Sequence, residues 1–125
     1  MKKLLLPLAV LVSITFYNSC TKDKAPQPVS ANCIGVDSAA NTYNLKIKPI
    51  LDGNCGYGGC HNTITASSNV ILDNYADSKT AFLNKDALCT IKQEGGCQPM
   101  PQGYDKLADS LITYIQCWGE RGYPQ

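Results

Sequence analysis

The chain has 125 residues, enough for one small domain, and its net charge of +1 comes from 11 basic and 10 acidic residues. The basic residues form no stripe, and so little charge excludes the phosphate-binding surface of a nucleic-acid-binding protein. Seven cysteines, one histidine and two methionines are the side chains with the most distinctive chemistry.

The N-terminus reads as a secretory signal peptide, residues 1–19. Two lysines precede an apolar segment, residues 4–16, which is too short to cross a bilayer as a helix. The small and polar residues before Cys20 resemble a bacterial lipoprotein signal, so we predict lipidation of Cys20 and a lipid anchor and tether over residues 20–41. The protein would then be exported and lipid-anchored to a cell-envelope membrane, facing the periplasm or the cell surface. In the alternative, an ordinary secreted protein, Cys20 is another thiol.

Cleavage before Cys20 removes Lys2, Lys3 and no acid, which leaves nine basic and ten acidic residues. The first helix predicted in the mature chain spans residues 42–51 and precedes the segment Cys55-Gly56-Tyr57-Gly58-Gly59-Cys60-His61. Two cysteines followed at once by a histidine are the arrangement that attaches c-type haem. The thiols add to the two porphyrin vinyl groups, and the imidazole is a good axial ligand of the iron.

Two short helices are predicted over residues 76–84 and 86–92. Prolines on both sides of Met100 then require an extended segment. Met100 is the only methionine of the mature chain, so we predict that it and His61 are the two axial ligands of one iron. Alternatively, Met100 is a core or surface residue and the iron is five-coordinate, as in a haem sensor or a weak peroxidase.

The clearest helix prediction covers residues 105–119, where apolar residues recur on one face of a 3.6-residue period. These residues are Leu107, Leu111, Tyr114, Ile115 and Trp118. No strand pattern of useful length occurs. The sequence therefore predicts an all-α domain, residues 42–125, with three to four short helices and long loops. Candidates for lining a haem pocket are Val70, Ile71, Leu72, Tyr75, Phe82 and Leu88.

Assigning Cys20 to lipid and two cysteines to haem leaves Cys33, Cys89, Cys97 and Cys117, an even number that suits an oxidising compartment. Four cysteines allow three pairings. We favour Cys89–Cys97, which closes a short loop before Met100, together with Cys33–Cys117, which would fasten the N-terminal segment to the last helix. Chain entropy alone would give about 2.5 kcal/mol for the short loop and about 4.5 kcal/mol for the long one. Alternatively, one or more of these thiols is free.

The order of these features resembles a small class I cytochrome c domain, and most closely the cytochrome c lipoproteins of Bacteroidetes-type bacteria. The similarity covers about residues 42–123 and rests on Ile50-Leu51-Asp52, Cys60-His61, Met100-Pro101 and a helix carrying Trp118. It implies crossed first and last helices that meet near Trp118. It also implies one covalent haem c in an apolar cleft, with thioethers to Cys55 and Cys60 and axial bonds from His61 and Met100.

By the same resemblance, the protein carries one electron between transient redox partners and is not an enzyme. Basic residues that could pair with the haem propionates are Lys79, Lys92 and Arg121. One departure is the spacing: the family usually has two residues between the cysteines, and this chain has four. Three of the four are glycine, so the insertion could loop out; equally, attachment could be inefficient, or the motif a relic.

The main alternative function is a disulfide-stapled lipoprotein that acts as a binding module without haem. In it, Cys55 and Cys60 form a structural disulfide beside an exposed His61. A zinc site would need four ligands, commonly in two pairs. A thioredoxin-like site needs two residues between its cysteines, and a hydrolase would need a nucleophile motif that the chain lacks.

Overall fold

A computed structural model describes residues 31–125 of the chain. Predictions for residues 1–30, including the signal peptide and the lipidation of Cys20, lie outside the described residues. The described part is all-α, as predicted, and contains no β-strand. Its four α-helices are α1 (Lys48–Asn54), α2 (Tyr75–Asn84), α3 (Ala87–Lys92) and α4 (Asp109–Glu120). Within residues 31–125, no helix has the length and apolar character needed to cross a membrane.

The first predicted helix is built in two parts. A π-helical turn, Tyr43–Ile47, leads directly into α1. Pro49, which has no N–H to donate, lies in the first turn of α1, where the helix changes from π to α geometry. The helix extends to Asn54, and the Cys55 N–H still donates to the Leu51 carbonyl oxygen (2.7 Å). The cysteine motif therefore begins at a fixed helix end.

Helices α2 and α3 lie close to their predicted positions. Asn74 caps α2, because its side-chain oxygen accepts a hydrogen bond from the Asp77 N–H (3.1 Å). Short 3-10 turns at Ala31–Cys33 and Ser67–Asn69 complete the helical elements of the described chain.

Helix α4 begins at Asp109, so the predicted start at residue 105 is wrong. Ala108 has ψ 137°, which is not helical, and the segment before it is irregular. Leu107 is nevertheless buried, at 7% exposure. The position of Leu107 in the sequence fits the apolar stripe of the predicted helix, but the residue lies in the irregular segment before the helix and is buried there.

Trp118 is the centre of the core and is fully buried. Four aromatic rings surround it at centroid distances of 4.7 to 6.5 Å, those of Tyr43, Tyr75, Phe82 and Tyr123. Its indole N–H donates to the Pro124 carbonyl oxygen (2.8 Å), so the one polar atom of the side chain is satisfied. Because Tyr43 precedes α1 and Trp118 lies on α4, the first and last helical segments meet here.

Two disulfides are present, Cys33–Cys117 and Cys89–Cys97, and they are the pairs favoured from the sequence. The first joins the N-terminal 3-10 turn to α4. The Arg121 guanidinium also donates to the Cys33 carbonyl oxygen (3.0 Å). Asn41 is buried, and its amide donates to the Tyr114 carbonyl oxygen (3.0 Å). Residues 31–41, which the sequence assigns to the tether, are thus fastened to α4.

Candidate functional site

A cavity of about 420 Å³ lies between the cysteine motif, α3 and the segments on either side of Met100. All four residues predicted to hold a haem line it: Cys55, Cys60, His61 and Met100. Its volume falls within the range of small-molecule and cofactor pockets, roughly 300 to 1,000 Å³. Side chains that are distant in sequence and distinctive in chemistry therefore share one cavity.

The walls of the cavity are largely apolar. Of the six predicted lining residues, Val70, Leu72 and Phe82 do line it, whereas Ile71, Tyr75 and Leu88 do not. Tyr75 packs in the aromatic core instead. Sequence reasoning missed Ile91, which lines the cavity from α3 together with Ala87. Ala87 and Ile91 are four positions apart, which places both on one face of a helix, and this spacing could have predicted their shared role.

The four residues between the cysteines form a closed loop. The Cys60 N–H donates to the Tyr57 carbonyl oxygen (3.1 Å), and the His61 N–H donates to the Cys55 carbonyl oxygen (3.0 Å). Gly59 has φ +86°, a conformation that favours glycine. The insertion loops out in this way, and the backbones of Cys55 and His61 remain within one hydrogen bond of each other.

Cys55 and Cys60 are free thiols, whereas the other four cysteines of the described chain are paired. Burial raises the pKa of the Cys55 thiol from 9.0 to about 11, and the nearby Cys60 acts in the same direction. Cys55 is therefore a neutral thiol at pH 7, which makes it a poor nucleophile in thiol–disulfide exchange. The Cys55–Cys60 disulfide of the stapled-module alternative is not formed.

We expect the chain with free Cys55 and Cys60 thiols to lose stability as the pH rises from about 9 towards 11. The pKa of Cys55 is higher in the folded state than in the unfolded state, so the folded state binds more protons in this window. The free energy of unfolding must then fall with rising pH, by up to about 3 kcal/mol. Urea unfolding followed by tryptophan fluorescence would measure it.

The matched control is Cys55→Ser, whose free energy of unfolding should fall less steeply between pH 9 and pH 11. Burial also raises the pKa values of Tyr43 and Tyr123, but both tyrosines are common to the two proteins and cancel in the comparison. Identical curves for the two proteins would contradict the assignment. With a thioether at Cys55, the difference should vanish, because the sulfur no longer titrates.

His61 is oriented by a backbone carbonyl. Its Nδ1 lies 3.2 Å from the Val70 carbonyl oxygen. A carbonyl oxygen can only accept, so Nδ1 carries the proton, and Nε2 of the neutral ring keeps its lone pair. A hydrogen bond of this kind on the second ring nitrogen fixes the ring of a metal-ligating histidine and raises its basicity. Sequence reasoning could not identify this acceptor, because every residue has a carbonyl.

The loop that carries the Val70 carbonyl is itself held closed. The Leu72 N–H donates to the His61 carbonyl oxygen (2.7 Å). The Thr63 N–H and hydroxyl both donate to the Asp73 carboxylate (2.6 and 2.8 Å), and these bonds lower the pKa of that carboxyl group. The loop closes immediately beyond His61, which fixes the imidazole relative to the cavity wall.

The basic residues considered as propionate partners lie elsewhere. Lys79 stands over the Tyr75 ring (5.8 Å to the centroid), Lys92 pairs with a glutamate (3.5 Å), and Arg121 donates to backbone carbonyls near the N-terminal turn. None of the three lines the cavity. Lys85 does, and within the described chain it is the only lysine, arginine or carboxylate in the lining. Its ammonium group donates to the Asn69 carbonyl oxygen.

The two thiols and the imidazole are not arranged around a common position that a metal ion could occupy. Among residues 31–125, no three side chains of histidine, cysteine, aspartate or glutamate are close enough to share one metal ion. Cys55, Cys60 and His61 line the walls of a cavity instead. The zinc alternative therefore has no compact ligand set in this part of the chain.

No protein-family model, curated protein or solved structure matches the chain.

Proposed function

We propose that this protein is a single-haem c-type cytochrome lipoprotein with a cytochrome c-like fold, which carries one electron between redox partners at the cell envelope. One observation carries the proposal. A single apolar cavity is lined by two free thiols, by the only histidine of the chain and by the only methionine of its mature part. These are the four side chains that a covalent, His/Met-ligated haem requires.

Three features of the cavity fit a haem. The thiols of Cys55 and Cys60 are unpaired, so each S–H can add across a vinyl C=C and leave a thioether. The Nε2 lone pair of His61 is free for the iron because Nδ1 faces the Val70 carbonyl. Most of the lining surface is apolar, and Lys85 offers a cation for a propionate. When bound, the haem supplies a one-electron Fe(III)/Fe(II) couple.

The chain's own residues would set the properties of that couple. The Val70 carbonyl holds the His61 imidazole in one tautomer and one orientation. The sulfur of Met100 is a neutral, soft ligand and raises the reduction potential relative to a second imidazole. The apolar walls, including Leu72, Phe82 and Ile91, would limit the access of water to both ligands. No substrate bond is made or broken, so the proposed protein is not an enzyme.

Two exposed tyrosines at the edge of the cavity could contact a redox partner. Tyr57 and Tyr104 both line the cavity and are 44% and 75% exposed. A transient redox partner needs only a small interface, below about 1,200 Å². The exposed side of the cavity is therefore the proposed face for electron entry and exit.

The anchor remains part of the proposal. A lipid at Cys20 would hold the domain at a membrane through the segment before Cys33, because Cys33 is tied to α4. The ten residues 21–30, which precede the turn Ala31–Cys33, could span at most about 35 Å even if fully extended. The domain would therefore work close to the membrane surface.

The test is a denaturing gel of membrane fractions, stained for haem peroxidase activity, from cells that make c-type cytochromes. We expect stain to migrate with the wild-type protein and to disappear in the variant Cys55→Ala/Cys60→Ala. The matched control is Cys89→Ala/Cys97→Ala, which also lacks two cysteines and should keep the stain. Well-expressed wild-type protein without stain would overturn the proposal and favour the binding module.

A further inference from the structure

Met100 is tied back to the end of α3. Its N–H donates to the Thr90 carbonyl oxygen (3.1 Å), and the Gln93 side-chain amide donates to the Met100 carbonyl oxygen (3.4 Å). The same Thr90 carbonyl oxygen also accepts from the Gln93 N–H (3.2 Å). The backbone on both sides of the Met100 side chain is thus fixed to one helix end.

A disulfide closes the segment between that helix end and Met100. Cys89 lies on α3, Cys97 lies three residues before Met100, and their Cα atoms are 5.9 Å apart. Within the loop, the Glu94 N–H donates to the Cys89 carbonyl oxygen and the Cys97 N–H to the Glu94 carbonyl oxygen (both 3.4 Å). Met100 therefore cannot move far from α3 while the disulfide is intact.

Helix α3 is also a wall of the cavity. Ala87 and Ile91 are buried and line the same cavity as Met100. The helix has only six residues, too few to be stable by itself, so its position depends on these contacts and on the loop that follows it. The bonds to α3 therefore hold Met100 in register with the cavity wall.

From these contacts we infer that Cys89, Cys97 and Gln93 are positioning residues, which hold Met100 where its sulfur can ligate the haem iron. The inference rests on the proposed function. A methionine side chain has three rotatable bonds and a neutral sulfur. If the backbone of Met100 were mobile, it would have to be ordered each time the sulfur rebinds the iron. That loss of conformational entropy would weaken the ligation. The disulfide removes most of that backbone freedom beforehand, and Gln93 adds a weaker restraint, because its contact is long and exposed.

The inference predicts that Cys89→Ser/Cys97→Ser keeps covalent haem but weakens the sulfur-to-iron charge-transfer band of the oxidised protein. Carbon monoxide should bind the reduced variant about tenfold faster, because the sulfur leaves the iron more often once the loop is no longer cross-linked. The matched control, Cys33→Ser/Cys117→Ser, removes the disulfide that joins the N-terminal turn to α4 and should not change the band in the folded protein. An equal loss of the band in this control would overturn the inference.

Gln93→Gly provides a second test that does not depend on folding without a disulfide. Gln93 ends α3 with φ 56°, a conformation that glycine adopts more readily, so the substitution should maintain or raise stability to urea. Carbon monoxide binding should nevertheless accelerate, by a smaller factor than in the disulfide variant. If Gln93 acted only through the stability of the fold, a variant of equal or higher stability would bind carbon monoxide no faster than the wild type.

The outcomes separate this inference from the proposed function. A wild-type protein without covalent haem would overturn both. A wild-type protein with haem but without the sulfur-to-iron band would overturn the inference and the assignment of Met100. If the wild type has both haem and the band, and if the disulfide and Gln93 variants match it in band intensity and carbon monoxide binding, the inference alone is overturned.

Discussion

If the protein is the proposed cytochrome, replacing His61 by glycine should remove nearly all of its low-spin haem spectrum. His61 is the only histidine in the chain, so no second imidazole can take its place. Its Nε2 is the only imidazole nitrogen in the cavity lining with a free lone pair, because Nδ1 is directed at the Val70 carbonyl oxygen. Absorption spectra of the purified oxidised and reduced protein would measure the loss.

Imidazole added to the His61→Gly protein is the matched control. It can enter the space that the side chain leaves and should restore a low-spin spectrum in a concentration-dependent way. Rescue would separate loss of the ligand from collapse of the fold. An unchanged spectrum in His61→Gly before any imidazole is added would show that another group ligates the iron, and the assignment of His61 would be lost.

Helix ends could be predicted from the sequence where a local side chain defines them. Asn74 caps α2, and α2 starts within one residue of its predicted position. The start of α4 could not be predicted in this way. Leu107 fits the helical period, but periodicity reports only that a residue is buried, and an irregular segment can bury it as well. The prediction of α4 was therefore wrong only at its N-terminal end.

In the candidate site, too, the residues with distinctive side chains could be predicted, whereas the contacts that depend on the fold could not. The side chains of rare type, Cys55, Cys60, His61 and Met100, could be singled out from their order, and they share one cavity. The carbonyl that orients His61 could not be identified, because backbone acceptors are chemically identical and the choice depends on how the loop folds. Lys85 was missed for a similar reason: its place in the lining depends on the orientation of α2, which no local pattern encodes.

In the proposed cytochrome, replacing Met100 by leucine should leave the haem attached but abolish the sulfur-to-iron charge-transfer band. Leucine has a similar volume to methionine, so the half-buried site keeps its packing, at a cost below about 1.5 kcal/mol. What is lost is the sulfur, and with it the neutral, soft ligand that favours the reduced iron. The midpoint potential should fall on the order of 100 mV, a fraction of the roughly 0.8 V range that axial ligands span.

Met100→Ala is the companion variant, because it removes both the sulfur and the packing. If ligation is what matters, the two variants should have the same spectrum and differ mainly in stability, with alanine lower by about 2 kcal/mol. If packing is what matters, leucine should resemble the wild type. A band that persists in Met100→Leu would show that a different group holds the sixth position. Apart from Met1 the chain has no other methionine, so a wild-type protein that lacks the band would have no methionine sulfur on the iron. If its sixth position proved open, the site would have the property of a sensor or a peroxidase rather than of an electron carrier.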